Sequence, residues 1–180
     1  MAPDGPDAAT DFEALLGALV DADVLFIVVG GIAGILHGAG RATYDLDVVY
    51  DRSPSNLART VGALAAFKPY LRGAPPGLPF RWDAATLASG LNFTLTTTAG
   101  AIDLLGEIPG GGDFAALRPH TVALAMFGRT ITCITLDQLI HVKRAAGRPK
   151  DLEAIAELEH LAARRESSGD ALDGDQGRST

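Results

Sequence analysis

The sequence predicts an α/β fold of the α+β kind: a mixed β-sheet flanked by helices, with a helical pair at the C-terminal end. Three observations predict it. Single helices separate the first apolar strands, hairpin-like strand pairs follow in the middle, and two helical segments come last. With 180 residues, 47% of them hydrophobic and 21% charged, the chain is long enough for a sizeable core and is expected to form a single domain over residues 11–165. Residues 1–10 and 166–180 are rich in Gly, Pro, Ser and Asp and poor in large apolar side chains, so both are expected to be flexible ends.

Phe12, Leu15, Leu16, Leu19 and Val20 recur at helical spacing behind Thr10, and Glu13 completes a capping box with that threonine. VLFIVV (24–29) has no polar break and fits a strand covered on both faces. It runs into Gly30 and Gly31, and Ile32 to His37 is again helical until Gly38 and Gly40 stop it. Arg41 to Thr43 then lead into a strand, YDLDVVY (44–50). Leu57, Val61, Leu64 and Ala65 form an amphipathic helix opened by Ser53-Pro54, and residues 68–79 read as a Pro/Gly loop. LNFTLTTT and AIDLLGEI flank a short connection and predict a hairpin; TVALAMFG and RTITCITL predict another. LDQLIHVKRAA is helical from Asp137, breaks at Gly147 and Pro149, and resumes as DLEAIAELEHLAARR.

Composition narrows the function classes. The net charge is −7, but four acids and one arginine fall in the last fifteen residues, so the remainder carries a milder excess. A nucleic-acid partner would need a local basic surface, and its binding would be weak and salt-sensitive. One cysteine, Cys133, cannot form an internal disulfide and fits a small buried position in TITCIT, which points to a reducing compartment. No targeting segment and no apolar run of about 18 residues occurs, so the expectation is a soluble, cytoplasmic protein without a membrane partner.

Chemistry gathers around three acids. Asp45 and Asp47 lie two apart in a strand, so both leave one face while Leu46 and Val48 leave the other. Like charges held so close repel, and a bound cation is the economical way to neutralise them. Hard oxygen donors favour Mg²⁺, with Mn²⁺ as the other candidate ion. Asp103, in AIDLL, is flanked by apolar residues where an unpaired charge is costly, so it needs a partner. If its strand neighbours that of Asp45, three carboxylates converge as metal-assisted phosphoryl transfer requires. Gly30 and Gly31 leave backbone N–H groups accessible to phosphate oxygens, or form an ordinary tight turn. Of the three lysines in the chain, Lys143 and Lys150 stand beside Arg144 and Arg148, a concentration of cations suited to a triphosphate or to a helix C-terminus. Asp151 is either a helix cap or a partner of Lys143 or Arg148. His37 reads as a core histidine bonded to a backbone carbonyl in preference to a catalytic one. Arg41, ahead of the acidic strand, is placed to contact phosphate or hold the carboxylates. Trp82, with Phe80 and Arg81, either forms a stacking surface for an acceptor or covers the core edge.

The string VVGGIAGILHGAGRATYDLDVVYD resembles the signature of the nucleotidyltransferase superfamily, most nearly the bacterial AbiEii-like toxin nucleotidyltransferases of type IV toxin–antitoxin systems. Gly30 and Gly31, His37-Gly38, Arg41, Thr43, Asp45 and Asp47 carry the likeness, HVKRAAGRPKDLEAI resembles the family's Lys/Arg helix with Lys-Asp, and the resemblance spans roughly residues 12–163. The glycine turn lacks the serine found in many members, leaving backbone donors to serve phosphate. The resemblance implies a nucleotidyltransferase-type sheet. It further implies transfer of a nucleoside monophosphate from a nucleoside triphosphate to an acceptor hydroxyl, with Asp45, Asp47 and Asp103 on metal and Asp103 as proton acceptor. The nucleotide would be held by Gly30, Gly31, Arg41, Thr43, Lys143, Arg148 and Asp151, with Lys143 also counted among the catalytic residues. It implies a toxin acting on tRNA 3′ ends, restrained by a cognate antitoxin. The alternatives are modification of a small hydroxyl compound, aminoglycoside-like, or of a protein, and a non-catalytic nucleotide- or partner-binding module.

Overall fold

The computed structural model describes residues 9–173, with side chains through 168. Its centre is a seven-stranded mixed sheet. Four strands make the middle: β1 (Phe26–Val29), β2 (Asp45–Tyr50), β4 (Asn92–Thr97) and β5 (Gly100–Leu105). The short β3 (Tyr70–Leu71) forms one edge, and β8 (Thr121–Met126) with β9 (Arg129–Ile134) forms the other. The order is β3-β4-β5-β2-β1-β9-β8, with β2 parallel to β5, β1 parallel to β9, and the remaining neighbours antiparallel. Both expected hairpins are present, β4–β5 and β8–β9.

The helices group in two sets. α1 (Phe12–Asp21) packs with α3 (Pro54–Leu64), and α3 with α4 (Ala84–Ser89). α2 (Gly30–Leu36) meets α6 (Leu136–Ala146), which pairs with α7 (Pro149–Asp173) as the C-terminal helical pair. Leu15, Leu19, Ile27, Val28, Leu46, Val48, Ile102, Leu104, Cys133 and Leu139 are among the residues of one fully enclosed cluster between sheet and helices. Burial of that apolar area is the main force holding the layers together. Burial also pushes the Cys133 thiol up to about 12, so it behaves as a small core residue.

Several local expectations need correction. Asp11, not Thr10, caps α1, accepting from the Ala14 N–H at 2.9 Å. The Thr10 hydroxyl is drawn off to tie two strands together: it donates to the Tyr44 carbonyl and accepts from the Ala101 N–H. β1 begins at Phe26; just before it, buried Asn56 accepts from the Leu25 N–H at 2.7 Å and donates to the Leu25 carbonyl at 3.0 Å, which the Asp51 N–H also reaches. The stretch AIDLLGEI is not one strand. Gly106 gives its N–H to the Leu91 carbonyl and the Asn92 side chain, which ends β5; Glu107–Ile108 (β6) then pairs with Gly112–Asp113 (β7) in a small separate ribbon. α4 and a short α5 (Phe114–Leu117), capped by Asp83 and Asp113, were not expected from the sequence, nor was β3 in the Pro/Gly stretch.

α7 continues to Asp173, into the segment whose composition suggested a flexible tail. The hydroxyls of Ser167 and Ser168 bond back to Ala163 and Arg164 within it. Residues 1–8 and 174–180 of the expected flexible ends lie outside the described residues. Among the described residues no helix is long and apolar enough to cross a membrane.

Candidate active site

The sheet itself assembles the acids. β2 and β5 run parallel in a register that sets Asp47 opposite Asp103 and Asp45 opposite Ala101. Leu46, Val48, Ile102 and Leu104 alternate with them and are fully buried, so the period-two rule sends the carboxylates to one face. One oxygen each of Asp45, Asp47 and Asp103 lies within 4.8 Å of the others. The expected pairing of the two acidic strands is therefore present.

Electrostatics records the crowding. Burial, then the charges of Asp45 and Asp103, push the Asp47 carboxyl up to about 7, against the opposing pull of Lys150 and Arg148. Asp103 is also raised, by burial first; Arg72 works against the shift and Asp45 adds to it. Three hard oxygen donors within 4.8 Å of one another, with one carboxyl raised by burial first and by its acidic neighbours second, form a donor set that fits a divalent ion.

The glycine turn makes room for this cluster. Gly30 has φ of +65°, and a Cβ there would overlap the Asp47 carboxylate; a Cβ on Gly31 would overlap the Thr43 side chain. Both glycines thus serve close packing of the acidic strand, and their N–H groups open α2 beside it. Thr43 donates to Asp45, 3.3 Å from its carbonyl and 3.4 Å from Oδ1, and so orients that acid.

The basic residues come from the α6–α7 junction. Asp151 is buried in the first turn of α7, where it accepts from Lys143 Nζ at 3.3 Å and from Arg148 Nε at 2.7 Å. Of its two sequence readings, ion-pair partner is the one observed. Burial raises its carboxyl, but Arg148 and Lys143 outweigh burial, and the net shift is downward. Arg41 does not hold the carboxylates: its guanidinium reaches Glu153 on α7 at 2.7 Å, because the loop after α2 runs along that helix, where Gly40 also donates to Glu157. His37 donates from Nε2 to the Ile134 carbonyl at 2.7 Å, and Arg165 lies 3.3 Å from its Nδ1. It is buried and holds α2, β9 and α7 together away from the acids. Trp82 donates to the Val61 carbonyl and packs against the core edge, the core-covering one of its two sequence readings.

Two clefts meet at the acids. One, of about 280 Å³, is lined by Gly30, Gly31, Arg41, Thr43, Asp45 and Asp47 together with Lys143, Arg148 and Lys150. The other, of about 290 Å³, shares Gly30, Asp47, Lys143 and Arg148 with it and continues past Asp103 along Leu105, Ile108, Leu139 and Val142, with Asn92 and Glu107 as its other polar groups. The first brings together all the residues the sequence nominated for nucleotide, Asp151 included, while Asp103, nominated for metal, lines the second.

A lincosamide antibiotic adenylyltransferase, LnuA, in a structure with lincomycin bound, superposes with a TM-score of 0.57 over 85% of this chain and 98% of its own, at 15% identity. A structure from Thermotoga maritima assigned as a nucleotidyltransferase superposes with a TM-score of 0.51 over 81% of this chain and 88% of its own, at 14% identity. The fold is that of the nucleotidyltransferases. No protein-family model and no curated protein sequence matches the chain.

Sequence reasoning missed Arg72 at this site, and it counted Lys150 among a cluster of cations without nominating it for the site. Arg72 bonds Asp103 at 2.7 Å and lies 3.7 Å from Asp45, yet it follows a two-residue strand in a stretch read as loop. Lys150 acts on Asp47 and Asp103 from the first turn of α7; its nearness to Arg148 was the available signal.

Proposed function

We propose that this chain is a metal-dependent nucleotidyltransferase that moves a nucleoside monophosphate from a nucleoside triphosphate to an acceptor hydroxyl. The observation that carries the proposal is the convergence of Asp45, Asp47 and Asp103 between a cleft that carries Lys143, Arg148 and Lys150 and a more apolar one. Asp45, Asp47 and Asp103 would hold Mg²⁺ or Mn²⁺, and such an ion supplies charge neutralisation for phosphoryl transfer. Lys143, Arg148 and Lys150, with the N–H groups of the glycine turn, bind the triphosphate; Arg41 and Thr43 line the same cleft. Asp151 holds Lys143 and Arg148 in place from behind. Asp103 uses Oδ1 for Arg72, and its other oxygen accepts the proton of the acceptor hydroxyl as that oxygen attacks the α-phosphorus and pyrophosphate leaves.

Two acceptors are in play. The 3′ end of tRNA, with a cognate antitoxin as partner, is supported by the sequence resemblance around the glycine turn. A small hydroxyl compound is supported by the second cleft, whose walls are mainly apolar and whose added charged groups are the acids Asp103 and Glu107, a poor match for a polyanion. The lincomycin-bound structure of LnuA points the same way.

Incubation with α-labelled triphosphates and Mg²⁺, with total tRNA in one arm and a panel of small hydroxyl compounds in the other, tests the proposal. Label on tRNA supports the first acceptor and label on a small compound the second. No label in either arm, with the triphosphate still bound, assigns the chain to the binding-module alternative.

A further inference from the structure

Arg72 is held by more than the acids. Its backbone N–H donates to the Thr94 carbonyl at 2.9 Å, which extends the β3–β4 pairing by one residue. Its Nε and Nη2 both reach the Leu95 carbonyl, at 3.3 and 3.1 Å. Thr94 is the register partner of Asp103 on β5, so β4 delivers the guanidinium at the level of that carboxylate. From there Nη2 donates to Asp103 Oδ1 at 2.7 Å, and Nη1 lies 3.7 Å from Asp45 Oδ2. A planar fork anchored on a carbonyl keeps one position, whereas a lysine ammonium lacks the second arm.

The site's cations are thereby divided. Lys150 and Arg148 act on Asp47, and Lys150 also on Asp103, through their charge from α7 and the α6–α7 junction, while Arg72 bonds Asp103 and approaches Asp45 from the end of β3. Only Arg72 among these touches the acids directly; Arg148 and Lys143 are bonded to Asp151.

Building on the proposed function, we propose that Arg72 is a positioning residue that clamps Asp103 through one oxygen and, as a fixed positive charge beside Asp103 and Asp45, opposes divalent-ion binding there. The clamp leaves the second oxygen of Asp103 directed for use. The charge keeps the three acids together without an ion and weakens their hold on one when it arrives. A removable ion suits an enzyme that must release pyrophosphate with its cation after each turnover.

Binding of Mn²⁺ alone, measured by calorimetry without nucleotide, tests this in the parent protein, Arg72→Met and Arg72→Lys. Removing one positive charge a few ångströms from two ligand carboxylates is expected to tighten Mn²⁺ binding about tenfold in Arg72→Met. Arg72→Lys keeps the charge and stays within about twofold of the parent. Transfer by both variants falls about tenfold or more in kcat, with the triphosphate KM little changed, because Asp103 loses its clamp. Mn²⁺ binding no tighter in Arg72→Met, or parental kcat in either variant, overturns the proposal. A merely structural arginine would lower Mn²⁺ affinity when lost. Should Arg72→Met fail to fold, Arg72→Lys decides: reduced kcat at parental Mn²⁺ affinity supports the assignment, and parental kcat refutes it. A parent that binds Mn²⁺ and transfers nothing refutes the nucleotidyl reading alone; a parent that binds no Mn²⁺ refutes both.

Discussion

Asp47 and Asp103 stand opposite one another in register on adjacent parallel strands, with Asp45 one pleat away, so repulsion among three carboxylates is built into the sheet. The Asp47 carboxyl is pushed up to about 7, by burial first and by this repulsion second. Replacing Asp47 with Asn removes one ionisable member and keeps the shape. It is expected to lower kcat about a thousandfold and to raise the stability of the metal-free protein by on the order of 2 kcal/mol at pH 8. Transfer assays and urea melts in chelator check the two halves, and parental transfer would remove Asp47 from the reaction.

The same shift fixes a pH dependence. A carboxyl whose folded value lies above its unfolded value favours the folded state only while protonated. That contribution is fully present below the ordinary value of 3.8 and is lost as pH climbs to about 7. In chelator, the urea midpoint of the parent protein should therefore decline between about pH 4 and pH 7. Asp47→Asn should flatten that decline, and Mg²⁺ should restore the midpoint at pH 8 by binding the folded state alone. A decline of equal size in Asp47→Asn would place its origin in other groups.

Gly30 is the tightest point of the turn. An alanine there meets the Asp47 carboxylate and must also adopt φ of +65°. Gly30→Ala is expected to cost roughly 2–4 kcal/mol and to displace Asp47, with loss of transfer. Thermal melts and a transfer assay read the outcome. An alanine variant of ordinary stability and activity would show that the turn has more room than its packing suggests.

How much of this was legible in the sequence depends on what fixes each residue. Asp45, Asp47 and Asp103 were legible because alternation with buried Leu46, Val48, Ile102 and Leu104 declares a face, and apolar flanks mark Asp103 as a charge in need of company. The mixed sheet and the C-terminal helical pair were legible from periodicity. Arg72 was not, since its place comes from pairing of Tyr70 with Thr96 and Leu71 with Leu95, a contact between segments far apart in the chain that no local pattern declares. Of the two readings of Arg41, holding the carboxylates fails for a similar reason: its nearness to the acids in sequence pointed to them, while its guanidinium pairs with Glu153 of α7. The capping box at Thr10 failed because Asp11 is an equally good cap and the threonine hydroxyl is engaged by Tyr44 and Ala101.

Asp151 links the two cations that face the acids. Asp151→Asn removes the charge that holds Lys143 and Arg148, although the amide oxygen still accepts one bond. Its expected effect is a rise of about tenfold in the triphosphate KM with a smaller change in kcat, since the cations remain but lose their orientation. Steady-state kinetics at saturating acceptor checks this, and an unchanged KM would mean that Lys143 and Arg148 hold their positions without the carboxylate.

Lys150 separates field from structure. It lines the first cleft and forms no ion pair among the described residues, yet its charge lowers the proton affinity of both Asp47 and Asp103. Lys150→Ala thus removes a charge and little packing. In the metal-free protein the Asp47 carboxyl should titrate still higher, which moves the loss of stability with rising pH toward more alkaline values. In the loaded enzyme the triphosphate KM should rise about tenfold, and that increase should shrink as salt screens the remaining cleft charges. Urea midpoints against pH in chelator and KM against salt give two independent readings. If neither moves, Lys150 is a solvated surface residue, and Arg148 is the cation that acts on Asp47.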